Sequence, residues 1–145
     1  MKSILSFNHY DVLETVYKFN PFADDENYEL TPRFDVKIKY KDESKTVAGI
    51  IFTIEIGSPE LIENPLYVKA SVLGMFEIET DEDVSDKLIN DLYKKNALAI
   101  IFPYVRSLVV DLTSRGSEMP ITLPPINIAA LIEHRDLITE SIDEE

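Results

Sequence analysis

The sequence predicts an α+β domain in which a four-stranded antiparallel sheet packs against a long kinked helix and a shorter C-terminal helix. Apolar and polar residues alternate through the first half of the chain, whereas apolar residues recur at helical spacing in the second half. The connections between the alternating runs are short and polar. Such connections favour antiparallel neighbours, because parallel pairing needs a crossover of about a dozen residues or more.

Four runs predict the strands. The clearest is 33–40, which has a mostly basic wet face and an apolar face made of Phe34, Val36, Ile38 and Tyr40. A second run covers 50–56 and a third covers 68–78, with Gly74 in phase. At Gly74 we expect a bulge or a close approach of another segment. Residues 4–19 alternate less regularly and predict the remaining strand.

Helical signals begin after the third run. Residues 80–83 offer cap candidates and first-turn acids, and apolar residues then recur at helical spacing as far as Arg115–Gly116, a good C-terminal stop. Pro103 lies inside this segment and should kink the helix or start a new one. A last helix is expected from Ile126 through Ile138, followed by a frayed acidic end.

The length of 145 residues predicts a single domain with a sheet half (1–80), a helical half (81–140) and an acidic tail (141–145). We expect neither membrane insertion nor a secretory signal, because no apolar run reaches about 18 residues and the N-terminus lacks a sustained apolar stretch. The absence of cysteine excludes disulfides and thiolate metal sites. These features predict a cytosolic location, although a cysteine-free chain would also suit a secreted protein.

The charge balance restricts the partners. Fourteen Lys and Arg against 27 Asp and Glu give a net charge of −13. Nucleic acids and anionic lipids would repel such a chain, because basic groups dominate affinity for phosphate. We therefore expect no nucleic-acid partner, and partners that are neutral, apolar or basic. The simpler interpretation is that the acidic residues only keep the protein soluble.

Residues suited to catalysis are scarce. The two histidines, His9 and His134, lie far apart in sequence, and residues 81–83 lack the glycine and downstream glutamate of a calcium loop. The sequence contains no glycine-rich phosphate loop and no nucleophile elbow. We predict no enzymatic activity, no metal and no cofactor.

Residues 97–110 are apolar almost all round, so a helix there needs cover on more than one side. One sheet covers one side. A second copy in an isologous interface would cover the other, through Ile101, Val105, Leu108, Val109 and Leu112. The alternative is that the last helix and the N-terminal segment provide the cover within one monomer.

Three segments of the helical half carry a family resemblance. Residues 101–106 read Ile-Phe-Pro-Tyr-Val-Arg, residues 114–116 read Ser-Arg-Gly, and residues 125–128 read Pro-Ile-Asn-Ile. In this order and spacing they resemble the bacterial export chaperone SecB and its relatives. The resemblance implies a dimer or dimer of dimers with the long helices packed at its centre. It also implies that the chain holds unfolded or nascent polypeptides in a groove and hands them to the motor SecA.

By position, the resemblance implies a groove lined by Phe19, Phe22, Leu30, Phe34, Val36, Ile38, Phe102, Tyr104 and Ile128. Each aromatic residue also fits a core position. Two departures stand out: the wet face of 33–40 is basic where classical members are acidic, and Ile128 replaces a phenylalanine. The competing hypothesis is a relative with one dedicated partner, for example an antitoxin, or one without general holdase activity.

Overall fold

The computed structural model describes residues 4–22, 32–60, 65–80, 83–115 and 138–143. Over these residues a five-stranded sheet packs against a long helix, which confirms the α+β class and adds one strand to the prediction. The elements are β1 (Leu5–Phe19), β2 (Arg33–Tyr40), β3 (Val47–Gly57), β4 (Leu66–Ile78), α1 (Asp86–Asp91), a π-helical segment (Leu92–Ala97), α2 (Leu98–Thr113) and β5 (Ile138–Ile142).

The predicted alternation is confirmed in β2, β3 and β4. Every second residue of β3 from Ala48 to Ile56 is buried against the helix, and β4 buries the set that includes Val68 and Phe76. On β2, Val36, Ile38 and Tyr40 are buried, whereas the basic residues on the other face are exposed. The period of two therefore predicted which face of each strand enters the core.

The order of strands across the sheet is β1-β4-β3-β2-β5. Strands β2, β3 and β4 form the expected antiparallel meander. Strand β1 pairs antiparallel with β4 rather than with its neighbour in sequence, β2. This arrangement pairs the 15-residue β1 with the 13-residue β4, whereas β2 has only eight residues to offer.

Strand β5 corrects the prediction that the last helix extends to Ile138, and it includes residues 141 and 142 of the predicted acidic tail. Residues 138–142 pair in parallel with β2, and the Asp143 amide donates to the carbonyl of Tyr40 at 2.9 Å. The start of the predicted last helix lies outside the described residues. The end of the predicted helix forms a strand instead, because the exposed edge of β2 offers backbone hydrogen bonds to an adjacent strand.

A partly buried polar contact joins β5 to β2 and to the π-helical segment. The Tyr40 hydroxyl donates to Glu140 Oε1 at 2.9 Å, and Lys94 Nζ lies 3.0 Å from the same oxygen. Burial favours a raised pKa for the Glu140 carboxyl, but hydrogen bonds from Lys94 and Tyr40 outweigh it, so the pKa lies below its usual value. Glu140 is thus held ionised against Lys94.

The helix begins later than the sequence predicted. Ser85 is the N-cap of α1, and its side chain accepts a hydrogen bond from the Leu88 amide at 3.2 Å. A π-helical segment then leads directly into α2, which continues through Pro103 and ends at Thr113. Pro103 therefore does not break the helix. Proline has no backbone N–H, so Pro103 cannot donate one hydrogen bond of the helix. The π-helical segment ends just before the turn in which this bond is missing.

The long helix is the core helix of the fold. The stretch Asp86–Thr113 is long and apolar enough to cross a membrane by length and composition, which the sequence analysis did not expect. Its most apolar side chains instead face the sheet, where Leu98, Ile101, Val105 and Val109 are fully buried. A Cβ on Gly74 would lie 2.9 Å from Ile101 Cδ1, so glycine permits the close approach that was predicted at this position.

Candidate functional site

Exposed aromatic residues gather at the end of the sheet where β1 stops and β2 starts. Phe19 is the last residue of β1 and is half-buried, and Phe34 is the second residue of β2 and is also half-buried. Phe22 follows β1 in a turn and is 91% exposed. We call these three residues the aromatic end. A single exposed apolar side chain is common on a protein surface, so it is the location of three at least partly exposed aromatic residues at one end of the sheet that makes this end a candidate contact surface.

The turn that carries Phe22 is fixed to the sheet by hydrogen bonds. The Asn20 amide donates to the carbonyl of Pro65 at 2.7 Å, which ties the turn to the start of β4. The Asn20 side chain in turn accepts a hydrogen bond from the Phe22 amide at 3.0 Å. Phe22 is therefore presented by an anchored turn with a short side-chain-to-backbone bond, the motif that asparagine commonly forms.

A path of rings connects the aromatic end to the core. Phe34 packs edge-to-face on Phe52 at 5.8 Å between ring centroids, and Phe52 lies 5.9 Å from Phe102. The Arg106 guanidinium sits 5.8 Å from the centroid of Phe102. Buried rings therefore pack against one side of Phe34 and fix its position, so its exposed side is held in one orientation.

Three of the predicted groove residues are buried. Val36, Ile38 and Phe102 lie in the core between the sheet and α2. The apolar face of β2 that was predicted to line the groove is the face that the helix covers. Leu30 and Ile128 lie outside the described residues. Among the predicted groove residues that the structure describes, the three of the aromatic end and Tyr104 keep exposed surface.

The aromatic end does not form a continuous wall among the described residues. Phe19 lies on β1 and Phe34 on β2, and the sheet order places β4 and β3 between these two strands. Three strand spacings separate the strands by about 14 Å. A bound polypeptide would therefore meet the aromatic residues as separate contacts.

The residues of the predicted oligomer interface lie at two depths. Ile101, Val105 and Val109 are fully buried against the sheet of the same chain. Leu108 and Leu112 are half-buried and pack against the edge of the core. The sheet covers a wide part of the circumference of α2, which buries the first three residues and leaves Leu108 and Leu112 at the border.

A second apolar surface follows the open edge of β1. Tyr10, Val12 and Leu13 are 43%, 46% and 50% exposed, and Tyr104 on α2 is 37% exposed. The rings of Tyr10 and Tyr104 lie 4.3 Å apart, and Phe7 packs 5.8 Å from Tyr104. We call Tyr10, Val12, Leu13 and Tyr104 the β1 edge surface. Within the described residues, β1 pairs with another strand on one side only and therefore forms one edge of the sheet.

Sequence reasoning missed the β1 edge surface because β1 is irregular. The pairing of β1 with β4 shifts register between Phe7 and His9 and again between Val12 and Glu14. Each shift inserts one extra residue and reverses the faces of the residues that follow. The irregular alternation of residues 4–19 was the only signal available for these two bulges.

Charges on the other face of the sheet are paired near β1. Lys69 Nζ lies 2.7 Å from Glu14 Oε1, and this hydrogen bond raises the pKa of Lys69 above its usual value. Glu55 accepts a hydrogen bond from the Tyr67 hydroxyl at 2.8 Å and lies 3.8 Å from Arg33. These contacts are structural, and most of them are too exposed to contribute more than about 1 kcal/mol each. No group of three or more histidine, aspartate or glutamate residues able to hold a metal occurs in the described part of the chain.

Comparison with known proteins matches the chain to a family. The sequence profile described as preprotein translocase subunit SecB matches residues 14–137. An uncharacterised protein of Methanocaldococcus jannaschii is 30% identical over 141 residues, covering 96% of this chain and 89% of that protein.

The protein-export protein SecB of Anaplasma phagocytophilum is 28% identical over 105 residues, covering 71% of this chain and 65% of that protein. The corresponding match in Ehrlichia chaffeensis covers 54% of its SecB at 27% identity and 72% of this chain. The chain therefore spans less than two thirds of the length of these two curated relatives.

A solved structure has a similar fold. The SecB-like chaperone of Mycobacterium tuberculosis, determined in complex with a peptide from an antitoxin, superposes with a TM-score of 0.60 at 15% identity. The superposition covers 84% of this chain and 90% of that chain. Because the family profile matches far more than half of the sequence, this chain belongs to the SecB family.

Proposed function

We propose that this protein is a chaperone-like holdase that binds unfolded or nascent polypeptide through exposed aromatic side chains. The observation that carries the proposal is the anchored, 91% exposed Phe22 beside the half-buried Phe19 and Phe34. Membership of the SecB family supports it. The similar M. tuberculosis fold, determined with a bound peptide, supports a polypeptide as the ligand.

The energetics of such a surface suit many clients. Burial of one phenylalanine side chain contributes about 1.5–3 kcal/mol, and about 1.4 kcal/mol changes an affinity tenfold. A few separate contacts of this kind give useful affinity without requiring one particular sequence. Leu30 and Ile128 remain proposed members of this surface, and Tyr104 joins it from the β1 edge surface.

We propose that the protein acts without catalysis or a cofactor, and that it works in the cytosol without membrane insertion. Binding by apolar burial requires no nucleophile and no metal. The packing of the long helix on the sheet supports a role for that helix in the core.

Self-association is a further part of the proposal. Strand β1 is an edge of the sheet within the described residues and carries an exposed apolar surface, and a second copy could pair there with the same strand. The outer side of α2, with Leu108 and Leu112 at its border, is the other candidate contact. Both lie away from the three residues of the aromatic end.

A client-protection assay tests the holdase proposal. We expect the protein to suppress light scattering by several unrelated denatured clients at near-stoichiometric ratio. Phe22→Ser should weaken protection about tenfold, because the client loses one buried ring while an exposed residue leaves the fold unchanged. Leu88→Ser is the matched control, because Leu88 is 41% exposed on α1, and it should protect as the parent does.

Protection of no client by the parent, or equal protection by the Phe22 variant, would contradict the holdase proposal. The second candidate function is recognition of one dedicated partner, which the antitoxin peptide in the similar M. tuberculosis structure favours. Tight capture of one protein in a pull-down, together with no protection of unrelated clients, would support that alternative. Adding SecA to the proteins offered in this pull-down tests whether it binds the chain, as the proposed export role requires.

A further inference from the structure

The C-terminal strand β5 is held to the sheet on one side only. It has five residues and pairs in parallel with β2, from Val36 to Tyr40. Within the described residues no strand lies beyond it. Parallel pairing is slightly less stable per residue than antiparallel pairing, and the neighbouring pair of β3 and β4 joins strands of 11 and 13 residues. The β2–β5 pairing is therefore the easiest of these pairings to open.

One apolar side chain anchors β5 to the core. Ile138 is half-buried and packs against the hydrophobic core, whereas the other four residues of β5 are exposed. The central strand β3, in contrast, buries every second residue completely or almost completely. Detaching β5 would thus expose little apolar surface, and the cost of detachment falls mainly on its backbone hydrogen bonds and polar contacts.

The polar contacts of β5 converge on two carboxylates. Glu140 Oε1 accepts the hydrogen bond of the Tyr40 hydroxyl at 2.9 Å and lies 3.0 Å from Lys94 Nζ. Asp143, directly after β5, lies 3.7 Å from Lys39 Nζ, and both of these side chains are exposed. Exposed ion pairs contribute little to stability, so the partly buried Glu140 is the more important of the two carboxylates.

The edge that β5 covers leads to the aromatic end. The pairing with β5 begins at Val36 and does not reach Phe34, two residues earlier on β2. If β5 detaches, the edge of β2 from Phe34 to Tyr40 extends over about 20 Å. A sheet edge of this kind can bind an extended polypeptide by strand addition, in which backbone hydrogen bonds supply affinity without requiring one sequence.

An extended client has two advantages over β5 at this edge. It can pair antiparallel to β2, which is the more stable arrangement per residue. It can also continue beyond Val36 to Phe34, and one of its apolar side chains can take the place of Ile138 against the core. A client strand can therefore displace β5 although β5 belongs to the same chain.

We propose that β5 is an internal competitor of the client, which covers the edge of β2 and must detach before an unfolded polypeptide can pair there. This inference rests on the proposed holdase function, because the client strand would run from the aromatic end along β2. The apparent affinity for a client is then the intrinsic affinity reduced by the fraction of molecules in which β5 is detached. Strand β5 thereby limits binding to clients that pair with β2 better than β5 does.

A disulfide that locks β5 in place tests the proposal. The chain has no cysteine, and Lys37 and Thr139 are exposed partners across the β2–β5 pair, close enough for a disulfide. The probe is a labelled acetyl-Lys-Thr-Val-Ser-Phe-Thr-Ile-Glu-amide peptide, followed by fluorescence anisotropy. Oxidation of the variant that combines Lys37→Cys with Thr139→Cys should weaken binding at least tenfold, and reduction should restore it.

The matched control combines Lys37→Cys with Ile51→Cys. These residues are partners across β2 and β3, so its disulfide leaves β5 free. We expect the oxidised and reduced forms of this control to bind the peptide equally. Circular dichroism verifies that both double variants are folded in both redox states.

Glu140→Ala tests the proposal in the opposite direction, because it removes the carboxylate that holds β5. We expect the peptide to bind about threefold or more tightly, since more molecules have β5 detached. The Asp143 amide, which donates to the carbonyl of Tyr40, should exchange its hydrogen at least tenfold faster. Glu79→Ala removes one exposed carboxylate after β4 and should change neither value.

Equal peptide affinity of the oxidised and reduced Lys37 and Thr139 variant, or unchanged affinity in Glu140→Ala, would overturn the proposal. The same locked variant separates this inference from the holdase proposal in the light-scattering assay. Equal protection of clients by its two redox forms would overturn the role of β5 and leave the holdase proposal standing. Protection by neither form, nor by the parent, would contradict both.

Discussion

Gly57→Ala is expected to destabilise the protein by about 2–5 kcal/mol, a large fraction of the stability of an ordinary domain. Gly57 has a φ of 79°, in the left-handed region where a Cβ costs about 1–2 kcal/mol. A Cβ there would also lie 1.9 Å from the backbone oxygen of Leu66, which cannot move without disturbing the β3–β4 pairing. The Gly57 carbonyl further accepts a hydrogen bond from Arg33 Nη2 at 2.7 Å.

Thermal and urea unfolding followed by circular dichroism measure this effect. Gly49→Ala is the matched control on the same strand, because its new methyl meets only the ends of two half-buried side chains. We expect that control to change the free energy of unfolding by less than about 1 kcal/mol. Equal stability of the two variants would show that β3 and β4 connect in another way.

Val109→Asp is expected to unfold the chain, and Leu108→Asp to leave it folded. Val109 is fully buried between α2 and the sheet, so the new carboxylate would have no water and no partner. An unpaired buried charge costs about 3–5 kcal/mol, in addition to the lost apolar burial. Leu108 is half-buried, and the same substitution there should cost about 1–2 kcal/mol because the carboxylate can reach water.

Analytical ultracentrifugation of the Leu108 variant then tests self-association separately from folding. If the outer side of α2 joins two copies, Leu108→Asp should lower the sedimenting mass while the circular dichroism spectrum stays that of a folded protein. A folded Val109 variant would contradict the core packing. If the Leu108 variant still assembles with unchanged mass, α2 is not part of the interface. The β1 edge surface then remains the candidate.

The strands were predictable where a single physical rule governs them. The strict alternation of residues 33–40 reflects one face against the helix and one against water, and β2 follows it residue by residue. Strand β5 was not predictable in this way. Its residues have no strong period of two, and they form a strand because β2 offers an open edge and because Glu140 meets Tyr40 and Lys94, contacts more than 40 residues apart in sequence.

The candidate site was less predictable than the fold. The resemblance to the SecB family placed Phe19, Phe22 and Phe34 among nine groove residues, and the structure puts these three at one end of the sheet. It also assigned Val36 and Ile38 to a groove, although the alternation that made β2 a strand places them in the core. The β1 edge surface depends on two bulges and on strand order, which no local pattern specifies.

Site-specific crosslinking tests the central claim most directly. A photoreactive phenylalanine analogue placed at position 22, and separately at position 88, is irradiated with a denatured, labelled client at near-stoichiometric ratio. We expect strong crosslinks from position 22 and background levels from position 88. Unlabelled client should compete with the labelled client and reduce the crosslinks from position 22. Equal yields at the two positions, or none at position 22, would contradict the claim that the aromatic end holds unfolded polypeptide.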